Sequence, residues 1–417
     1  DAIGHKRAFI SGVGVFTIAS MACGLATDGP LLIGARAVQG IGAAVAAPTG
    51  LALIATTYAV GHARNRAMAI SAGMQGIGSV LGLVLGGALT VISWRLAFLI
   101  NLPIGVLIIW IALTRLEETR HERLKLDITG ALVATLACAA AVLVFTQGPP
   151  RGWADPWVIG AGVAAVLLGI AFLIVERSAD NPLVPMSLFT DRNRVMTFIS
   201  LFLAGGVLLT LTVMIGLYVQ DVLGYSALHA GIGFIPFALA LGLGNVITAR
   251  LAPHVAPRWL IIGGGVFVLG AMLFGSTLTR TIPYFPDLLL PILVGGFGIG
   301  IISVILPLCA VADVGPDEIG PVSAITLMVQ NLGGPVVLVV IQAVQVSRTL
   351  YLGGTTGPVA DMTSAQLDAL DAGYTYSLLW IAAVAVLVGI SAFFIGFSAK
   401  QIATAQHTRE AVEAGEM

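Results

Sequence analysis

The sequence predicts an all-α polytopic membrane protein with twelve transmembrane helices. Three observations carry that prediction. Of 417 residues, 58% are apolar and only 10% are charged, against roughly 25% charged in an ordinary soluble domain. Mean hydropathy is +0.99, so the chain cannot solvate its own surface in water. The apolar residues fall in continuous runs of about 20, the length a helix needs to cross about 30 Å of hydrocarbon. They lack the alternation of a barrel strand. Finally, Lys and Arg sort by side. Fifteen of the 20, from Lys6 and Arg7 to Lys400 and Arg409, fall in the termini and loops on one side of the membrane. Four lie on the other side: Arg95, Arg151, Arg280 and Arg348. The basic side is cytoplasmic by the positive-inside rule, so both ends of this chain are expected on the cytoplasmic side of a plasma (inner cell) membrane. One cytoplasmic loop, 313–318, breaks the rule with Asp313, Asp317 and Glu318.

The spans follow in order. The first, 8–27, starts after Lys6-Arg7. The second, 31–57, carries Arg36, which alone among the charged residues lies well inside a span. The third, 67–92, carries Gly78, Gly82 and Gly86 at four-residue spacing, a stripe that lets another backbone come close. The fourth, 96–114, is entered through Trp94-Arg95 and left at Arg115. Spans 127–146 and 156–175 flank Trp153 and Trp157, at the level where amphipathic rings collect. Span 195–219 follows a charged linker, and 228–249 contains Phe234, Pro236, Phe237 and Asn245. Span 259–279 opens on Trp259. The last three are 288–312, 320–344 with Met328, Gln330 and Asn331, and 375–397 with Trp380.

Several classes of function are excluded. Net charge is −1, with no basic excess to bind nucleic acid. Cys23, Cys138 and Cys309 are scattered in apolar runs, which is neither a disulfide framework nor a metal site. The six histidines are dispersed, and no H-E-x-x-H, G-x-S-x-G or P-loop occurs. Gly76-Ile77-Gly78 follows no strand and is no dinucleotide fingerprint. No enzyme activity, cofactor or metal is expected.

Local segments resemble the major facilitator superfamily, specifically its 14-span drug:proton antiporter branch. Asp1-Ala2-Ile3-Gly4-His5-Lys6-Arg7 resembles the second half of the family's loop motif A. Leu32-Ile33-Gly34-Ala35-Arg36-Ala37-Val38-Gln39-Gly40-Ile41-Gly42 resembles motif B. Gly82-Leu83-Val84-Leu85-Gly86-Gly87 resembles the end of antiporter motif C, with Leu83 in place of the usual proline. Trp94-Arg95-Leu96-Ala97-Phe98-Leu99-Ile100-Asn101 is similar to a segment typical of the 14-span branch. So is Gln220-Asp221-Val222-Leu223-Gly224-Tyr225-Ser226-Ala227. Pro48-Thr49-Gly50-Leu51-Ala52-Leu53 and Ser347-Arg348-Thr349-Leu350-Tyr351-Leu352-Gly353-Gly354 resemble the mycobacterial EfpA-type group within that branch.

The resemblance implies an organisation. Motif A normally joins the second and third spans of the family, so the twelve spans correspond to its third to fourteenth, and the first two are expected to be missing upstream of Asp1. Residues 1–115 are then the remainder of the N-terminal helix bundle, with four spans. Residues 116–126 are a cytoplasmic linker, 127–176 two extra linker spans and 177–194 a second cytoplasmic linker. Residues 195–397 form the C-terminal six-helix bundle and 398–417 a cytoplasmic tail. The implied function is proton-coupled multidrug efflux by alternating access. The alternatives are a lipid or amphipath transporter of the same fold, or an inactive truncated membrane protein. The expected partners are hydrophobic or cationic small molecules or lipids, protons and membrane lipid.

Candidate site residues fall into three groups. Proton coupling and gating are assigned through the resemblance to Asp1, Gly4, Lys6, Arg7, Arg36, Gln39 and Gly40, and to Asp221 as the best remaining carboxylate. For Arg36 two readings stand: a coupling residue, because an intramembrane charge is costly, or an arginine snorkelling about 8 Å to the outer interface. Asp221, at a span end, is either an interfacial cap or a coupling carboxylate, and no acid lies deep in a predicted span. The motif C helix contributes Gly78, Gly82, Gly86 and Gly87. Polar and adaptable apolar residues inside spans supply a candidate substrate cavity: Met74, Gln75, Phe234, Phe237, Asn245, Met328, Gln330 and Asn331.

Overall fold

The computed structural model describes residues 4–57, 74, 78, 82, 85–116, 128–178, 191–280, 282–314, 319–402 and 404. These residues are mostly helical, and no strand occurs among them. In order they form α1 (His5–Gly24), α2 (Gly29–Thr57), a four-residue turn Leu96–Leu99 leading into α3 (Asn101–Arg115), α4 (Ile128–Arg151) and α5 (Pro156–Ser178). There follow α6 (Arg192–Asp221), α7 (Ala227–Gly233), α8 (Ile235–Leu251), α9 (Pro257–Gly275), α10 (Leu289–Ala310), α11 (Ile319–Tyr351) and α12 (Ser364–Phe393). Eleven stretches among the described residues are long and apolar enough to cross a membrane. They correspond to every span expected from the sequence except the third, most of which lies outside the described residues.

Acidic side chains start several of the helices. Asp28, Asp155 and Asp191 accept backbone N–H groups of Leu31, Trp157 and Asn193 at 2.8, 2.8 and 3.0 Å. These are the donors that the first helical turn leaves unsatisfied.

Two ends differ from the sequence expectation. The last span was expected at 375–397 with a long outer loop before it, but α12 begins at Ser364. Thr363 and Gln366 form a reciprocal capping box there, which starts a helix regardless of hydropathy. On the near side of the same loop α11 runs on to Tyr351. It is closed by Gly353 at φ 83°, whose left-handed backbone suits glycine. Polar helix beyond the apolar run is invisible to a hydropathy window, and this correction brings Asp371 inside a membrane helix.

The chain divides into two units. The first holds the described residues of 1–126 with 226–232, the second those of 127–225 and 233–409. In the first, α1 and α2 meet backbone to backbone. A methyl at Gly12 would stand 2.8 Å from Ala46 N, and one at Gly42 would stand 2.5 Å from Phe16 N. In the second, α10 packs on α8 and α9, α6 on α11 and α12, and α4 on α5 and α11. Its core is aliphatic: Leu201, Leu211, Ile261, Met272, Ile305 and Ile381 are almost fully buried.

Candidate functional site

In the first unit a polar network forms around Ser20. Arg36 Nη1 donates to Gln39 Oε1 at 2.8 Å, one helical turn along α2. Gln39 Nε2 donates to Ser20 Oγ on α1 at 2.9 Å, and Asn101 Nδ2 of α3 donates to the same oxygen at 3.0 Å. Ser20 Oγ in turn donates to the Phe98 carbonyl at 3.0 Å. One hydroxyl offers one donor and two acceptors, so Ser20 is saturated. Ser20 and Gln39 are buried, and a half-satisfied network there would be costly. The Arg36 guanidinium also lies over the Phe98 ring, 5.6 Å from its centroid.

Motif B and the Trp94–Asn101 segment, far apart in sequence, therefore converge on one atom. The sequence singles out Arg36 and Gln39 but not Ser20 or Asn101, although Asn101 closes the Trp94–Asn101 segment. The same segment is tied down at its start, where Arg95 Nη2 donates to the Ala26 carbonyl at 3.2 Å.

The motif A residues have local roles. Gly4 caps α1 with φ 85°. Lys6 Nζ donates to the Leu113 and Leu116 carbonyls at 3.2 and 2.6 Å. It thereby closes the C-terminal end of α3, where a cation suits unpaired carbonyls. Arg7 is exposed, and Asp1 lies outside the described residues. A methyl at Gly40 would meet nothing within 4 Å, so the close approach in motif B belongs to Gly42. The motif C stripe behaves likewise. Among the described residues nothing comes within 4 Å of a methyl at Gly78, Gly82 or Gly86, whereas one at Gly87 would stand 2.5 Å from the Ala227 carbonyl oxygen. Met74 is exposed, and Gln75 lies outside the described residues.

In the second unit, Asp221 ends α6 and accepts the Tyr374 hydroxyl at 2.9 Å. The reciprocal pair stands beside it. Tyr218, one turn before Asp221, interacts with Asp371, one turn before Tyr374, without reaching full hydrogen-bond geometry. The two tyrosine rings pack edge to face at 5.9 Å. Each helix thus offers a tyrosine and a carboxylate at i, i+3 spacing to the other. Arg280 caps the cluster through an ion pair to Asp368 at 3.0 Å and a bond to Ser364 Oγ at 2.8 Å. Sequence reasoning named Asp221 alone; a Tyr-x-x-Asp and an Asp-x-x-Tyr at facing span ends were the readable signal.

The predicted cavity residues of this unit stand in different surroundings. Asn245 accepts a hydrogen bond from Ser303 at 2.9 Å. Ser303 and Gln330 line a small cavity of about 20 Å³ among Leu201, Val268 and Val388, room for a water but not for a drug-sized ligand. Phe234 and Phe237 are buried against each other with ring centroids 5.8 Å apart. Met328 and Asn331 are exposed on α11.

Comparison with known proteins decides the family. The Major Facilitator Superfamily model matches residues 1–338. The chain belongs to the major facilitator superfamily. Over its whole length it is 58% identical to the "uncharacterized MFS-type transporter EfpA" of Mycobacterium tuberculosis, covering 79% of that protein. It is 34% identical over 94% of its length to the cephamycin export protein CmcT of Amycolatopsis lactamdurans. It is 32% identical over 95% to the puromycin resistance protein pur8 of Streptomyces alboniger. In each case it covers 79% of the relative. A bacterial homolog of the human lysosomal transporter Spinster, solved inward-facing and occupied, superposes with a TM-score of 0.60 at 17% identity. That alignment covers 96% of this chain and 82% of the other, and it speaks for the fold. This member of the superfamily is a multi-pass membrane transporter rather than an enzyme.

Proposed function

We propose that this transporter exports hydrophobic or cationic small molecules in exchange for protons, by alternating access across the plasma membrane with its ends in the cytoplasm. Two of the named relatives, the cephamycin exporter and the puromycin resistance protein, support export of small molecules. In this reading 1–115 and 195–397 are the blocks that move against each other, and 127–176 is an accessory pair of spans.

The observation that carries the coupling assignment is the Arg36–Gln39–Ser20–Asn101 network. A snorkelling arginine needs no fixed partner. Arg36 is instead hydrogen-bonded to a buried glutamine that is itself bonded to Ser20 of α1. Among the described residues no carboxylate pairs with it, so its charge is available to an acid approaching within about 4–6 Å, whose ionised form it would favour. Protonation of that acid would release the contact, and this links a proton to a change of state. The Asp221–Tyr374 and Asp371–Tyr218 pairs are the proposed acids of the second unit. Asp221 can lose its proton and still be held by the Tyr374 phenol.

The test is transport in proteoliposomes under an imposed pH gradient, with ethidium as the cationic probe. Gradient-dependent export is expected, and probe movement indifferent to the gradient would reject proton coupling.

A further inference from the structure

A groove of about 390 Å³ runs along α11 between α4 and α12. That is within the roughly 300–1,000 Å³ of ligand sites, and the transport reading assigns it nothing. Arg348 lines it. The guanidinium carbon lies 5.7 Å from the Tyr351 ring centroid and 5.1 Å from that of Tyr376. These contacts use the faces of the rings. Nε is buried with no hydrogen-bond partner, and among the described residues no carboxylate pairs with Arg348. A guanidinium keeps its charge and has five N–H donors to satisfy. At a membrane-helix end such a group calls for an anion.

The groove's floor says what kind of anion. Val340, Ala343 and Val344 line it on the same face of α11 as Ser347 and Tyr351. From Tyr351, the last residue of the helix, to Val340 is eleven residues, or about 16 Å at 1.5 Å each. That is about half of a 30 Å hydrocarbon core, the depth of one leaflet. The rim is aromatic, with Trp153, Tyr351 and Tyr376 all exposed, as at a headgroup level. A soluble anion needs no such apolar track. We propose that this groove binds an acidic bilayer lipid, its phosphate on Arg348 and an acyl chain along Val344, Ala343 and Val340. Such a lipid would fasten α4, of the accessory pair, to the bundle helix α11.

The whole chain, purified in neutral detergent, is titrated with phosphatidylglycerol or phosphatidylcholine of matched chains, and bound lipids are counted by native mass spectrometry. One phosphatidylglycerol should bind about tenfold more tightly than phosphatidylcholine. Arg348→Gln should abolish the preference and Arg348→Lys should keep part of it. Val344→Trp, which fills the floor and leaves the guanidinium, should weaken both lipids. Melting curves report folding, and if Arg348→Gln unfolds the Val344→Trp result decides. Equal phosphatidylglycerol binding by the parent and a folded Arg348→Gln overturns the proposal. So does lipid binding unchanged by Val344→Trp, or displacement of the lipid by inorganic phosphate at equal concentration. Binding is read without a gradient, so its outcome is separate from that of proton-driven export.

Discussion

Tyr374 on α12 donates its hydroxyl to Asp221 at the end of α6 across 2.9 Å, while Tyr218 of α6 stands against Asp371 of α12. The two helices face each other with crossed tyrosine–carboxylate pairs, of which Asp221–Tyr374 is hydrogen-bonded. A structural clamp and a proton site would share this geometry, and substitutions separate them. Tyr374→Phe removes the hydrogen bond to Asp221, at a cost of about 0.5–1.5 kcal/mol, and should lower the melting temperature. Asp221→Asn keeps an oxygen to accept the phenol and should melt like the parent. If Asp221 also carries a proton, the Asn variant loses gradient-driven export while keeping its stability. Full export by a stable Asp221→Asn would leave only the clamp.

Arg36 can be probed by changing the shape of its charge. A guanidinium holds Gln39 and the Phe98 face in fixed geometry, which an ammonium cannot reproduce. Arg36→Lys is expected to be expressed and to bind substrate without a gradient, but to lose most proton-driven export. Arg36→Ala should lose all of it. Substrate accumulation under an imposed pH gradient, paired with equilibrium binding, measures both. Normal export by the Lys variant would return Arg36 to an interfacial anchor.

The hub of that network has its own signature. Ser20→Ala leaves the Gln39 and Asn101 amides without their common acceptor, and Gln39 is buried. The expected cost is about 1–3 kcal/mol, seen as a lower melting temperature. Ser20→Thr keeps the hydroxyl and should recover part of the loss.

Glycines of motif B should part ways. Gly42→Ala puts a methyl 2.5 Å from Phe16 N and 2.9 Å from the Gly12 carbonyl oxygen, and backbone cannot step aside cheaply. Loss of folded protein, by size-exclusion profile and melting, is expected. Gly40→Ala meets open space and gains helix propensity of about 1 kcal/mol, so it should be stable. Similar behaviour of the two would contradict the close α1–α2 contact.

Topology is testable by labelling. A cysteine at position 121 should react only from the cytoplasm and one at 360 only from outside, as the distribution of Lys and Arg predicts. Reaction of both from the same side would break the proposed orientation.

The spans were legible because the rule that makes them is local. Hydrocarbon demands about 20 apolar residues in a row, and no distant residue can relax that demand. Arg36 was legible for the same reason, as a charge where the solvent forbids one. Even so, hydropathy missed the first turns of α12, where Thr363 and Gln366 cap a helix that starts in water. What the tertiary structure alone decided is partnership. Ser20 meets Asn101 across 81 positions and Tyr374 meets Asp221 across 153. It also decided which glycines touch backbone, Gly42 and Gly87 rather than Gly40 and Gly82. Inside a membrane every helix surface is apolar enough for lipid, so periodicity does not say which face meets which neighbour. That choice is made by shape and hydrogen bonds between segments far apart in the chain, and it appears only once the helices are packed.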